Sequence, residues 1–292
     1  MQFGPNGVSV DHSREPWDEG FCQTIFVHCR YDMLKGTHHS LSVTQKHVAA
    51  DLYQRAKYEF DMDAAFGAVD RVIQEDVLEA LEDAVIEAGA DPIIALPHPA
   101  FDDDDAIDHD IVERTAPSNA LPFAYAEFLA KSLGGERDSR IVQSARVGRT
   151  KLDTFLRFLC QPSFVGDIDV DRPYIMADDV VTTGGTLAAL RSYIVRSGGT
   201  VIGASALAHK AGRSQPLPLA QQTLRVLESS YSMEIHAYWR ETFGHGLDCL
   251  TENEGRALAD WSEQRQREGI SAGDGLLRRL RDRVNKAAGK GG

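Results

Sequence analysis

Residues 174–186, Tyr-Ile-Met-Ala-Asp-Asp-Val-Val-Thr-Thr-Gly-Gly-Thr, carry the types and spacing best suited to chemistry. Four apolar residues, Tyr174 to Ala177, predict a strand buried on both faces. Two adjacent carboxylates, Asp178 and Asp179, stand at that strand's C-terminal end, the edge that faces the ligand crevice in open parallel sheets. Val180 and Val181 follow, and then Thr182, Thr183, Gly184, Gly185 and Thr186 run into a helix. Small residues let backbone N–H groups converge on an anion, the hydroxyls add donors, and the helix N-terminus adds a partial positive charge. Carboxylates beside such a cradle suit a sugar phosphate: the acids accept hydrogen bonds from vicinal hydroxyls while the loop holds the phosphate. An ordinary strand–helix turn needs one Asp and one Gly. It does not account for the acid pair together with Thr-Thr-Gly-Gly-Thr.

The surrounding elements must place this segment. Residues 21–30 are aromatic and β-branched and predict a strand. Residues 43–60 and 64–88 predict helices, the second from the helical recurrence of Val69, Val72, Ile73, Val77, Leu78, Leu81, Val85 and Ile86, with Gly89 as its C-cap. Pro92 to Leu96 predicts a fully buried strand, residues 120–133 a capped helix ending at Gly134, and residues 140–142 the next strand. A helix over 187–196 and a strand over 201–208 complete strand–helix–strand spacing, the signature of parallel βαβ crossovers. The chain therefore divides into an N-terminal extension (1–90, strand plus helices, a hood or interface), a core (91–212) and a C-terminal extension (213–292) with a basic tail. The first twenty residues are polar and turn-rich and are expected to be loosely ordered. Thr251 and Glu254 form a candidate capping box, and residues 276–290 a solvated basic helix.

Composition sets bounds. The 292 residues are 42% hydrophobic and 26% charged, enough for a sizeable core and ordinary for a globular chain. The net charge of −13, from 31 Lys+Arg against 44 Asp+Glu, argues against coating nucleic acid or an anionic membrane with the whole surface. It leaves room for a local basic pocket. No apolar run is long enough to span a bilayer, and residues 1–20 lack a secretory pattern. The scattered Cys22, Cys29, Cys160 and Cys249 read as thiols, so a cytoplasmic location is expected. His38, His39 and His47 with Cys22 and Cys29 fit no common zinc spacing. His28 reads as a packed strand residue, and Trp239, Phe243 and His245 as core.

Tyr174 to Thr186 resembles the motif that binds phosphoribosyl pyrophosphate (PRPP) in type I phosphoribosyltransferases. The upstream series Leu96-Pro97-His98, Asn119, a helix over 123–133, then Arg146, Arg149, Thr150, Arg157 and Phe164 resembles the ComF-like branch of that family. The resemblance covers about residues 92–209. It implies the type I phosphoribosyltransferase fold, an α/β parallel sheet, with an added N-terminal helical and strand segment and a C-terminal helical extension. It implies an enzyme that transfers ribose 5-phosphate from PRPP to a nitrogenous base or similar small-molecule acceptor and releases pyrophosphate. Asp178 and Asp179 would hold the ribose, with Val180 and Val181 between them and the 5′-phosphate loop Thr182, Thr183, Gly184, Gly185 and Thr186. Mg²⁺ would arrive with PRPP near Asp178 and Asp179, with no direct protein metal site. Arg146, Arg149 and Lys151, in the loop from Ser144 to Phe164, would close over the pyrophosphate as catalytic residues. The turn at Ser118 and Asn119 would be the pyrophosphate loop. A homodimer, without membrane or general nucleic-acid binding, is the implied assembly. The alternative implied by the same resemblance is a non-catalytic PRPP- or nucleotide-binding regulatory or ComF-like accessory protein, because fold does not fix function. PRPP synthetases share a similar motif in the second of two like halves, and no matching first half is present.

Overall fold

A computed structural model describes residues 13–17, 24–98, 118–144, 162–269 and 275–282. Its main sheet has six strands: β1 (Thr24–Arg30), β2 (Ile93–Ala95), β3 (Glu136–Arg137), β6 (Pro173–Val181), β7 (Thr200–His209) and β8 (Gln215–Pro216), in the order β3-β2-β6-β7-β1-β8. Every pairing is parallel except that of the edge strand β8 with β1. A separate two-stranded ribbon joins β4 (Val142–Gln143) to β5 (Phe164–Val165). The chain is thus an α/β protein built on a mostly parallel sheet, with helical segments added at both ends.

Strand alternation divides the core. Ile175 and Ala177 face a layer of four helices, α2 (Val43–Tyr58), α3 (Met62–Asp70), α4 (Glu75–Ala88) and α5 (Leu121–Ser132), packing with Leu81, Leu121 and Leu129. Tyr174 and Met176 face α6 (Gly185–Arg196) and pack with Leu187, Leu190 and Ile194. All four strand residues are wholly buried, as expected of a central strand covered on both faces. The short α1 (Tyr31–Leu34) links β1 to α2. The C-terminal helices α7 (Gln221–Ser230), α8 (Met233–Phe243) and α9 (Glu252–Arg267) build a third core around Trp239, Phe243, Leu227 and Leu258. Trp239, Phe243 and His245 are buried there, as core residues. Among the described residues no helix is long and apolar enough to cross a membrane.

The structure corrects several sequence expectations. The helix expected over 64–88 is two helices, α3 and α4. The amide of Gln74, at the break, donates to Nδ1 of His28 (3.0 Å), a partner in β1 that local periodicity cannot reveal. Gly89 does end α4, at φ +67°. The strand expected at 140–142 lies in the separate ribbon, and the parallel edge is taken by β3, too short and polar to read as a strand. β6 does not stop before the acids: Asp178 pairs with Ala206, and Val181 with His209. The described part of the basic tail is amphipathic rather than solvated throughout, since Leu276, Leu277 and Leu280 are buried in the third core. Residues 13–17, expected to be loose, include a buried Arg14.

Candidate functional site

The parallel strands all end at one edge, and the acid pair stands there. Helix α2 reaches it through a capped start: Ser42 Oγ accepts from the Gln45 amide (3.3 Å) while Gln45 Oε1 accepts from the Ser42 amide (2.9 Å). At its far end the Ala56 carbonyl accepts from the Ala120 amide (2.8 Å), which docks α2 on the start of α5. This contact delivers Lys57 and Asn119 to the same acid. Lys57 Nζ forms a short ion pair with Asp179 Oδ2, and Asn119 Nδ2 donates to that oxygen at 3.0 Å. Asn119 Oδ1 accepts from the Leu121 amide (3.2 Å), so this one side chain both opens α5 and holds Asp179. The other Asp179 oxygen accepts from the Val180 amide, and Asp178 Oδ1 accepts from the Asp179 amide, each at 2.8 Å.

The two carboxyls differ electrostatically. Burial, and then the charge of Asp179 beside it, push Asp178 well above the usual carboxylate range. Burial alone would raise Asp179 too, but the Lys57 ammonium and the donors from Lys57 and Asn119 bring it below its ordinary value. Burial opposes the charge on Lys57, and the Asp179 carboxylate more than offsets that. The two acids are thus pushed in opposite directions, Asp178 toward its protonated form and Asp179 toward its ionised form. Tyr53, hydrogen-bonded to Tyr31 (3.0 Å), lies against this cluster; burial first, and the Asp179 charge among other causes, raise its hydroxyl.

The turn after β6 is fixed from behind. Gly184 adopts φ +80°, open to glycine, and a Cβ there would stand 2.7 Å from Leu217 Cδ1. It caps α6 without any side-chain bond to the first turn. The Thr183 carbonyl accepts from Thr251 Oγ1 (2.5 Å) and the Thr182 carbonyl from Asn253 Nδ2 (3.1 Å). The Thr251–Glu254 capping box is present: the Thr251 amide donates to Glu254 Oε2 (3.1 Å) and the Glu254 amide to Thr251 Oγ1 (3.2 Å). Arg14 completes the clamp. Its guanidinium makes a buried two-pronged pair with Glu254 (2.5 and 3.0 Å) and donates to the Gly185 carbonyl (3.3 Å). Trp17 Nε1 donates to the Leu250 carbonyl (2.7 Å), so residues 13–17 strap the C-terminal helices to α6. His209, opposite Val181, is held below the usual histidine value chiefly by burial, against a hydrogen bond to the Thr182 backbone.

The structure thus brings Asp178, Asp179, Thr182, Thr183, Gly184, Gly185 and Thr186 together at one edge, with Val180 and Val181 inside the paired strand. It adds Asn119 as a direct partner of Asp179, with Ser118 just before it. Arg146, Arg149 and Lys151 lie outside the described residues. The ends of their loop do not: Val142 pairs with Val165, Gln143 with Phe164, and the Ser144 amide donates to the Ser163 carbonyl (2.9 Å). The Gln143 amide donates to the His98 carbonyl (2.8 Å), which anchors the ribbon beside the C-terminal end of β2, on the site edge. Among the described residues no group of three His, Cys, Asp or Glu side chains is arranged to hold a metal. Sequence reasoning missed Lys57, Arg14, Asn253 and Glu254 as site partners. Lys57 had a signal: it continues the buried stripe of Ala49, Tyr53 and Ala56 on α2.

No family model matches the chain. It is 33% identical over 202 residues to Protein TraN of Escherichia coli, covering 69% of this chain and 41% of that protein. It is 39% identical over 84 residues to an uncharacterized protein of Haemophilus influenzae, covering 29% of this chain and 19% of that protein. The chain thus spans less than half the length of the curated relatives it matches. Among solved structures it is similar to the adenine phosphoribosyltransferases of Rhodothermus marinus (16% identity, 51% of this chain, 73% of that one, TM-score 0.28) and Leishmania tarentolae (13%, 71% and 90%, TM-score 0.27). It is also similar to that of Saccharomyces cerevisiae (17%, 49% and 72%, TM-score 0.26).

Proposed function

We propose that this protein binds PRPP at the end of β6 and transfers its ribose 5-phosphate to a nitrogenous acceptor. The observation that carries this reading is convergence. An acid pair, a glycine turn opening a helix and the joined ends of a basic loop all lie on the C-terminal edge of one parallel sheet. The turn is built for an anion: carbonyls of Thr182, Thr183 and Gly185 are occupied by side-chain donors behind them. The amides at the start of α6 then meet a phosphate with the helix dipole aligned. The acid pair serves the ribose hydroxyls. Mg²⁺ fits as an ion that arrives on the pyrophosphate rather than on a protein cage, since the donor set is one half-buried and one buried carboxyl. When bound it neutralises charge on the leaving group. Arg146, Arg149 and Lys151 close over the pyrophosphate and exclude water while the C1′–oxygen bond breaks. The homodimer and cytoplasmic setting implied by the resemblance belong to the same reading. A non-catalytic, ComF-like protein would keep the cradle and bind without turnover.

Calorimetric titration of PRPP with Mg²⁺, with ribose 5-phosphate and pyrophosphate as separate ligands, tests the reading. Micromolar PRPP binding followed by pyrophosphate release with a base is the expected result. Binding without release for any base leaves the accessory function, and no binding of any of the three overturns both. In the enzyme, Arg149→Ala slows turnover far more than it weakens PRPP binding.

A further inference from the structure

The two acids of the site are not equivalent in their surroundings. Asp179 is buried, and both its oxygens already face protein donors: Lys57 and Asn119 on Oδ2, the Val180 amide on Oδ1. Asp178 is the more exposed of the two, and among the described residues the N–H donor recorded to it is the Asp179 amide, on one oxygen. The donors on Asp179 come from two elements, α2 and the start of α5, which also meet through the Ala56 carbonyl and Ala120 amide. Removing either donor would leave a buried carboxylate short of partners, so the contact works as a joint between the N-terminal helices and the sheet.

We infer that the acidic pair divides its labour: Asp178 alone meets the ligand's ribose hydroxyls, while Asp179 is an internal anchor, held by Lys57 and Asn119 as positioning residues that join α2 and α5 to the end of β6. The assignment rests on the proposed PRPP site for its ligand half and on geometry alone for its anchor half. The ribose has two vicinal hydroxyls, and Asp178, the more exposed of the two acids, is the one placed to meet them. Lys57 keeps its ammonium on Asp179 in this arrangement, so it serves the site by fixing that carboxylate and the helix end that carries it.

The test uses the full chain and five variants, Asp178→Asn, Asp179→Asn, Lys57→Met, Lys57→Arg and Lys57→Met with Asp179→Asn. Thermal unfolding and PRPP–Mg²⁺ affinity are both measured, the affinity at a temperature where every variant is folded. Asp178→Asn should leave the unfolding temperature close to wild type, because Asn keeps the size and shape of the side chain. It should weaken PRPP about tenfold or more, the scale of one lost hydrogen bond to a charged group. Asp179→Asn and Lys57→Met should each lower the unfolding temperature, and the double variant should lose far less than the two losses added. Lys57→Arg should recover most of the loss. At matched folding, Asp179→Asn should weaken PRPP less than Asp178→Asn does. The inference is overturned if Asp179→Asn costs as much affinity as Asp178→Asn, or if the Lys57 and Asp179 losses simply add. A wild type that fails to bind PRPP removes the ligand half along with the proposed function. The coupling of unfolding temperatures still decides the anchor half, so the two failures are told apart.

Discussion

Gly185 is the point at which the C-terminal helices touch the turn, and replacing it by alanine tests that contact. Gly185 needs no left-handed backbone; what excludes a side chain is space. A Cβ would stand 2.2 Å from Glu254 Oε1 and 2.9 Å from the Arg14 guanidinium. Glu254 has little room to yield, because it is 2% exposed and its carboxylate holds two Arg14 bonds and the Thr251 amide. Opening a buried pair by displacing one partner costs about 3–5 kcal/mol. Alanine in place of glycine in a helix returns up to about 1 kcal/mol. The balance is a loss of about 2–4 kcal/mol, or roughly 4–8 °C in unfolding temperature at about 2 °C per kcal/mol for a chain of this size. Urea unfolding read by circular dichroism measures it directly. The control is the same substitution in an Arg14→Met, Glu254→Ala background, where the obstacle is gone and Gly185→Ala should be neutral or slightly stabilising. A stability within about 0.5 kcal/mol of wild type, the usual range for substitutions away from such features, would refute the claim that the turn is clamped by this ion pair.

Two further measurements probe the fold that carries the site. His28 and His245 are each pushed down to about 4, chiefly by burial. The unfolded chain therefore binds more protons than the folded one between pH 6.5 and 4, so stability falls as pH drops through that window and levels off below it. Each histidine accounts for at most roughly 3 kcal/mol of that loss, from 1.36 kcal/mol per unit. In neutral His28, Nδ1 accepts from Gln74 and Nε2 faces Tyr125 (3.0 Å), and Tyr125 faces Ser205 (2.5 Å). His28→Gln should flatten the slope measured by urea unfolding at pH 7, 5.5 and 4.5, and an unchanged slope would show that His28 does not titrate there. Thr251→Val removes both the cap of α9 and the donor to the Thr183 carbonyl, and should cost about 1–2 kcal/mol with Thr251→Ser restoring it; equal stability of the valine and serine variants would refute the cap.

What could be read from the sequence was whatever physics makes local. The acid pair, the glycine turn and the start of α6 are contiguous, and each declares its chemistry by residue type. The same holds for Gly89 as a helix end and for the Thr251–Glu254 capping box, which are signals of three or four residues. What could not be read depends on distant partners. The break between α3 and α4 is invisible to periodicity because its amide is satisfied by His28, from a strand forty-six residues earlier. Lys57 meets Asp179 across 122 residues, and nothing near Lys57 names its partner. Arg14 sits in a segment whose composition reads as loose, and its buried partners, the carboxylate of Glu254 and the carbonyl of Gly185, lie 240 and 171 residues away.

The same partners bear on the phosphate site proposed above. Buried backbone carbonyls need donors, and a turn that gives its own amides to a ligand does not supply them. Here the carbonyls of Thr182, Thr183 and Gly185 take their donors from Asn253, Thr251 and Arg14. Asp179, at the other side of the strand end, takes its cation from α2. The residues beyond the crossover units therefore supply the hydrogen bonds and charge that the motif lacks. Without Arg14, Thr251 and Asn253, those three carbonyls would lose the side-chain donors that meet them from behind the turn.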